Sequence, residues 1–183
     1  MSDDELIHLA KQGNRQALHD LIDRYLTTVE RFAYQIGVSE NDVDDVTQEV
    51  FLRVYRFLDQ YSGSTFTTWL YKITLNAARD HFKKLHRDQK KWLKLFRQPA
   101  DRIVTVETDV LKNEEDILLH SLIQNLDDKY KVPLILFYFH DKKLEEIADI
   151  LNVPLSTVKT RLSRAKKRLK KMLNQKGGED VAQ

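Results

Sequence analysis

Leu155 to Lys171 reads LSTVKTRLSRAKKRLKK, in which eight of seventeen residues are Lys or Arg and none is acidic. Val158, Leu162, Ala165 and Leu169 fall at steps of 4, 3 and 4, the apolar face of a helix. Thr160, Ser163, Arg164 and Lys167 share another face, flanked by Lys159 and Arg161. An α-helix fits the major groove of B-DNA, where Arg and Lys read guanine and Ser or Thr meets either base. Outer Lys and Arg side chains reach phosphates. A solvated basic helix, or one that binds an acidic protein, carries the same charge. The small polar centre and the helix before it favour DNA. That preceding segment, KLEEIADILNV from Lys143 to Val153, is helical in pattern, and Pro154 stops it. Ile147 and Ala148 through Asn152 to Val158 and Leu162 have helix-turn-helix spacing. Ser156 is the expected N-cap of the basic helix.

Two further stretches could carry binding chemistry. YSGSTFTTWLYKITLNAARDHFKK, from Tyr61, sets Thr67, Lys72, Asn76, Arg79 and Lys83 on a helix beside a small-residue loop. Such a surface suits single-stranded or distorted DNA with a base turned out. Phe66, Trp69, Leu70 and Ile73 serve equally well as core, and alone the signal is weak. DDVTQEVFLRVY, from Asp44, sets Asp45, Gln48, Glu49 and Arg53 opposite Val46, Val50 and Val54. A solvated charged stripe is the commoner meaning of that pattern.

The elements that must hold these residues are helical throughout. Leu6, Leu9 and Ala10 start a helix that ends at Gly13, and Ala17 to about Ile36 makes a second. Ser39 caps a third, with Val43, Val46, Val50, Leu52, Val54 and Leu58 inside it, and a fourth follows through Trp69, Ile73, Ala77 and Phe82. These four form a domain over 1–88. Residues 89–113 contain Pro99 and the run RIVTVETDV and read as a linker, with room for a short helix at Trp92–Phe96. A second domain spans 114–173, with Pro133 early in one of its helices. The tail, 174–183, is expected to be disordered. The fold class is therefore all-α: two small helical domains joined by a flexible linker.

Composition narrows the function classes. Five Gly and three Pro in 183 residues favour helix, and the absence of Cys excludes disulfides and Cys-based zinc sites. No apolar run approaches the roughly 20 residues of a membrane helix, and no signal peptide is evident, so a cytoplasmic location is expected. Net charge is only +2, but its distribution is uneven. Six acids face two bases between Gly37 and Tyr61, and six bases face one acid between Lys83 and Lys94. Acidic and basic surfaces on one chain imply two kinds of partner. No HExxH, phosphate loop or GxSxG is present, and His81 and His86 lie five apart rather than at metal-pair spacing, so neither enzyme activity nor a cofactor is expected.

In this order, DDVTQEVFLRVY, FTTWLYKITLNAARD and LEEIADILNVPLSTVKTRLSRAKKRLKK resemble a bacterial sigma factor of the extracytoplasmic-function group. The resemblance implies a sigma region two at 1–88 and a helix-turn-helix sigma region four at 114–173. It assigns Asp45, Gln48, Glu49 and Arg53 to docking on the β′ clamp helices of core RNA polymerase. Tyr61, Ser62, Gly63, Ser64, Thr65 and Phe66 would shape a pocket for a flipped minus-ten base, and Lys72, Asn76, Arg79 and Lys83 would face that DNA. Lys159, Thr160, Arg161, Ser163, Arg164 and Lys167 would lie in the minus-35 major groove, with region four also touching the β flap. The linker would thread polymerase, and an anti-sigma factor, commonly membrane-tethered, would hold the protein in reserve. Lys72 and Ile73 stand where primary sigma factors carry a tryptophan pair, which implies weaker duplex melting. A dimeric helix-turn-helix regulator is the rival reading, but no heptad seam supports it.

Overall fold

A computed structural model describes the backbone of residues 1–63, 65–96 and 114–179, and the side chains of 1–63, 65–91 and 117–175. Helices α1 (Asp3–Lys11), α2 (Arg15–Gln35), α3 (Glu40–Phe57) and α4 (Phe66–Phe96) form the first unit. Helices α5 (Glu114–Gln124), α6 (Asp128–Tyr138), α7 (Leu144–Leu151) and α8 (Leu155–Glu179) form the second. Among the described residues all regular structure is helical.

Local signals account for the boundaries. Ser2 and Glu5 make a reciprocal capping box on α1, and the Asn14 side chain accepts from the Ala17 amide at the start of α2. Asn152, at φ 51°, supplies the left-handed turn between α7 and α8 that Asn tolerates better than most residues. Three sequence expectations shift. Ser39 stands at the N-cap of α3, but its hydroxyl donates to the Asp42 carboxylate rather than capping a backbone amide. Ser156 is not the cap of α8, which already begins at Leu155, and the Thr157 and Val158 amides bond to the Pro154 carbonyl. Pro133 lies well inside α6 rather than near its start.

Both long helices overrun the expected limits. α4 does not end near residue 88 but runs to Phe96. Lys, Leu, Arg and Gln are good helix formers and no breaker precedes Pro99, so propagation continues where the apolar period has faded. α8 likewise extends to Glu179, six residues into the tail read as disordered. Adding turns to a standing helix avoids the nucleation cost. The rest of the linker, 97–113, and of the tail, 180–183, lies outside the described residues.

The two units share one apolar core. Phe32, Tyr71 and Ala78 from the first unit belong to the same buried cluster as Leu136, Ile147 and Val158 from the second. Polar contacts close the seam. The Gln124 side chain donates to the Gln35 carbonyl at 2.6 Å, Lys142 donates to the Thr67 hydroxyl at 3.1 Å, and Tyr34 stacks on His120. His140 bridges Tyr71 and Gln35. Gly37, at φ 111°, lets α5 approach: a Cβ there would lie 3.1 Å from the Gln124 side-chain oxygen.

Candidate nucleic-acid and polymerase interfaces

α8 buries Val158, Leu162 and Ala165 against the rest of its unit and turns its basic side outward. Lys159, Thr160, Ser163, Arg164 and Lys167 are exposed and Arg161 is half-buried. The Thr160 hydroxyl donates to the Ser156 carbonyl at 2.9 Å, so toward a base it offers its methyl and an acceptor lone pair. Arg164 stands at the edge of this face rather than its centre. Its guanidinium bonds the Tyr130 hydroxyl from α6 and pulls that phenol below its ordinary pKa. One turn on, Arg168 lies 4.5 Å from the Tyr130 ring centroid and pairs with Asp127 at 3.3 Å. The α6 side therefore anchors two arginines, while Lys159, Ser163 and Lys167 stand clear.

The loop before α4 is tighter than a base pocket requires. Phe66 is only 4% exposed and packs on Tyr25, Tyr61 and Trp69. It is core in this conformation and not a stacking platform for a flipped base. Tyr61 is half-buried, and Lys11 donates to its carbonyl at 2.8 Å. Ser62, Gly63 and Thr65 are exposed, and Ser64 lies outside the described residues. Along α4, Asn76, Arg79 and Lys83 face solvent. Lys72 does not: its ammonium sits 2.7 Å from the Asp149 carboxylate of α7.

On α3, Asp45 and Gln48 are exposed. Arg53 is half-buried and binds Glu49 at 2.6 Å and Asp80 of α4 at 3.1 Å. The Glu49 bond, outweighing desolvation, raises the Arg53 pKa. Arg53 thus braces α3 on α4 and orients Glu49, rather than standing free for a partner. Two residues that sequence reasoning misses complete this face. Leu52 is 57% and Tyr55 69% exposed, four and seven positions after Gln48. That spacing is the signal that could have found them, but Leu52 also fits among the apolar residues of its helix. Exposed apolar side chains flanked by acids are what a protein-docking patch needs at its centre.

Known proteins share both units. Residues 21–88 match Sigma-70 region 2 and residues 116–169 match Sigma-70, region 4. The chain is 31% identical over 176 residues to the ECF RNA polymerase sigma factor SigW of Bacillus subtilis, covering 91% of this chain and 94% of that protein. This chain belongs to the extracytoplasmic-function sigma factors. The ECF RNA polymerase sigma-E factor of Escherichia coli is 28% identical over 184 residues, with 91% of each chain covered. The structure of CnrH in complex with the cytosolic domain of CnrY superposes with a TM-score of 0.71 at 25% identity, covering 94% of this chain and 97% of that one. The Bartonella quintana sigma factor RpoE, solved with the anti-sigma factor NepR, shares the fold at a TM-score of 0.66 and 18% identity over 85% of this chain and 96% of that one. A sigma factor is not an enzyme. It binds core RNA polymerase and directs initiation at promoters, region two serving the minus-ten element and region four the minus-35 element. In this sigma factor the region two match runs from within α2 to within α4, and the region four match from within α5 to within α8. No helix among the described residues is long and apolar enough to cross a membrane.

Proposed function

We propose the following division of labour within this sigma factor. The α3 face of Asp45, Gln48 and Glu49, with Leu52 and Tyr55 at its centre and Arg53 bracing it, docks on the β′ clamp helices. The 61–65 loop, with Phe66 as its packed base, and Lys72, Asn76, Arg79 and Lys83 work on the minus-ten element. Lys159, Thr160, Ser163 and Lys167 enter the minus-35 major groove, with Arg161 and Arg164 at its edges, while region four also touches the β flap. The observation that carries this reading is the presence of cationic surfaces on α4 and α8 beside one acidic and apolar surface on α3, which meets α4 at the Arg53–Asp80 pair.

The two regions must part to work together. Promoter elements about two helical turns apart are separated by ~70 Å, whereas α4 and α7 touch through the Lys72–Asp149 pair. Linking two modest DNA contacts raises their joint affinity through effective concentration. The linker threads polymerase, the protein works in the cytoplasm, and an anti-sigma factor holds it in the resting state. The test is gel filtration with core polymerase, followed by transcription from a promoter library. Co-elution and redirected initiation support the reading. A free dimer that binds a palindrome tightly and leaves initiation unchanged would overturn it.

A further inference from the structure

α4 outlasts the core it was built to cover. Its last fully buried residue is Ala78, and Phe82 is the last to pack even partly against the core. From Lys83 to Lys91 every residue is exposed. That stretch holds Lys83, Lys84, Arg87, Lys90 and Lys91 against the single acid Asp88. At 3.6 residues per turn the five cations fall within an arc of about 120°. They are not a separate patch. Lys72, Asn76, Arg79, Lys83, Arg87 and Lys90 succeed one another at steps of 4, 3, 4, 4 and 3, so the arc prolongs the minus-ten stripe along the same side of one helix.

The extension is isolated as well as charged. Among the described residues Lys83 pairs with Asp80 alone, at 3.7 Å, with its side chain 80% exposed. Among the described residues, Lys84, Arg87, Lys90 and Lys91 form no ion pair. Like charges at i, i+3 and i, i+4 oppose a helix unless a counter-charge relieves them. A protein-docking face would carry an apolar centre, and here Leu85 alone is apolar and points away from the cationic arc. Lys72 to Lys90 spans 18 residues, or about 27 Å of helix, the length of roughly eight base steps of duplex.

We propose that Lys84, Arg87, Lys90 and Lys91 form a phosphate-binding rail that grips the backbone of promoter duplex beside the minus-ten element, without reading its sequence. The proposal rests on the promoter reading above and adds to it a second, sequence-independent grip on the same helix.

The test uses holoenzyme assembled from the full chain and core polymerase, with a labelled promoter duplex titrated across salt. A Lys84→Ala, Arg87→Ala, Lys90→Ala, Lys91→Ala variant should lower promoter affinity roughly tenfold or more. It should also reduce the slope of log affinity against log salt by about one unit for each phosphate no longer gripped. Because all four side chains are exposed and alanine favours helix, helicity by circular dichroism should not fall, and a Lys84→Arg, Lys90→Arg, Lys91→Arg variant should keep the wild-type slope. Methylphosphonate linkages beside the minus-ten element should weaken the wild type and leave the alanine variant unaffected. An unchanged slope in the alanine variant overturns the rail. So does a loss that depends on the bases present, or a loss of core-polymerase affinity without DNA, which would make the occupant an acidic protein surface. Failure of the wild-type holoenzyme to bind promoter at all is a different result, and it removes the promoter reading first.

Discussion

Acidification should pull regions two and four apart, and His140 sets the size of the effect. Its Nδ1 lies 2.8 Å from the Tyr71 hydroxyl and its Nε2 lies 2.7 Å from the Gln35 side-chain oxygen. Tyr71, its pKa raised by burial, keeps its proton and donates to Nδ1. Nε2–H then donates to Gln35, so the neutral ring satisfies both partners. A second ring proton would make Nδ1 a donor too, and the Tyr71 hydroxyl would have to turn its hydrogen away from the ring. Burial first, then the nearby Arg31 and Lys142, opposed by Asp141, bring the His140 pKa down to about 4. Once the regions separate, the imidazole regains its usual value of about 6.5. Above pH 6.5 both forms therefore hold neutral His140 and the seam is at full strength. As pH falls from 6.5 toward 4 the open form binds the extra proton, and the closed form loses up to about 1.4 kcal/mol per pH unit. From pH 7.5 to 5 the loss is about 2 kcal/mol, roughly a thirtyfold change in the closed-to-open ratio. The chain has no cysteine, so cysteines introduced at exposed Asn41 and Lys170 can carry a donor–acceptor dye pair across the seam. Transfer efficiency should fall on acidification in the wild type and fall clearly less in His140→Gln. The seam's other histidine, His120, also has its pKa lowered by burial and by Lys131, which makes the His140→Gln comparison decisive. Equal efficiency at both pH values in the wild type, or the same fall in His140→Gln, refutes this role for His140.

The interface assignments yield three more outcomes. Glu49→Lys should abolish co-elution with core polymerase while far-UV circular dichroism stays native, because the change inverts charge on an exposed face; retained co-elution removes that face as the dock. Leu52→Asp should weaken core binding by about 1–2 kcal/mol in a titration if Leu52 sits at the centre of the contact, and an effect near zero would place it at the rim. Arg164→Ala should cost ~1–3 kcal/mol of discrimination at one minus-35 base pair in competition binding. Equal loss on every sequence would show that Arg164 touches only phosphate and is held for that purpose by Tyr130.

What is legible in the sequence is local. The 4, 3, 4 steps of Val158, Leu162, Ala165 and Leu169 place the buried side of α8 and therefore its exposed cations. What escapes depends on partners distant in the chain. Arg53 gives no sign that Asp80, 27 positions later, holds it. Nothing near Lys72 announces Asp149, 77 positions on. His140 meets Gln35 across 105 positions. The overrun of α4 escapes for a different reason: apolar periodicity reports where a helix is covered, not where it ends. Leu52 shows the converse, since an apolar residue is free to sit on the surface.

On the proposed minus-ten role of Lys72, the Lys72–Asp149 pair makes promoter DNA and region four rivals for one ammonium. A phosphate that takes Lys72 from the carboxylate removes one tie between the regions, so promoter affinity is higher by some factor in the parted form. By thermodynamic reciprocity, DNA that captures Lys72 must favour the parted form by the same factor. On that reading the template helps to unlock its own reader, and a partner that clamps the halves together would weaken promoter binding without touching a base-reading side chain.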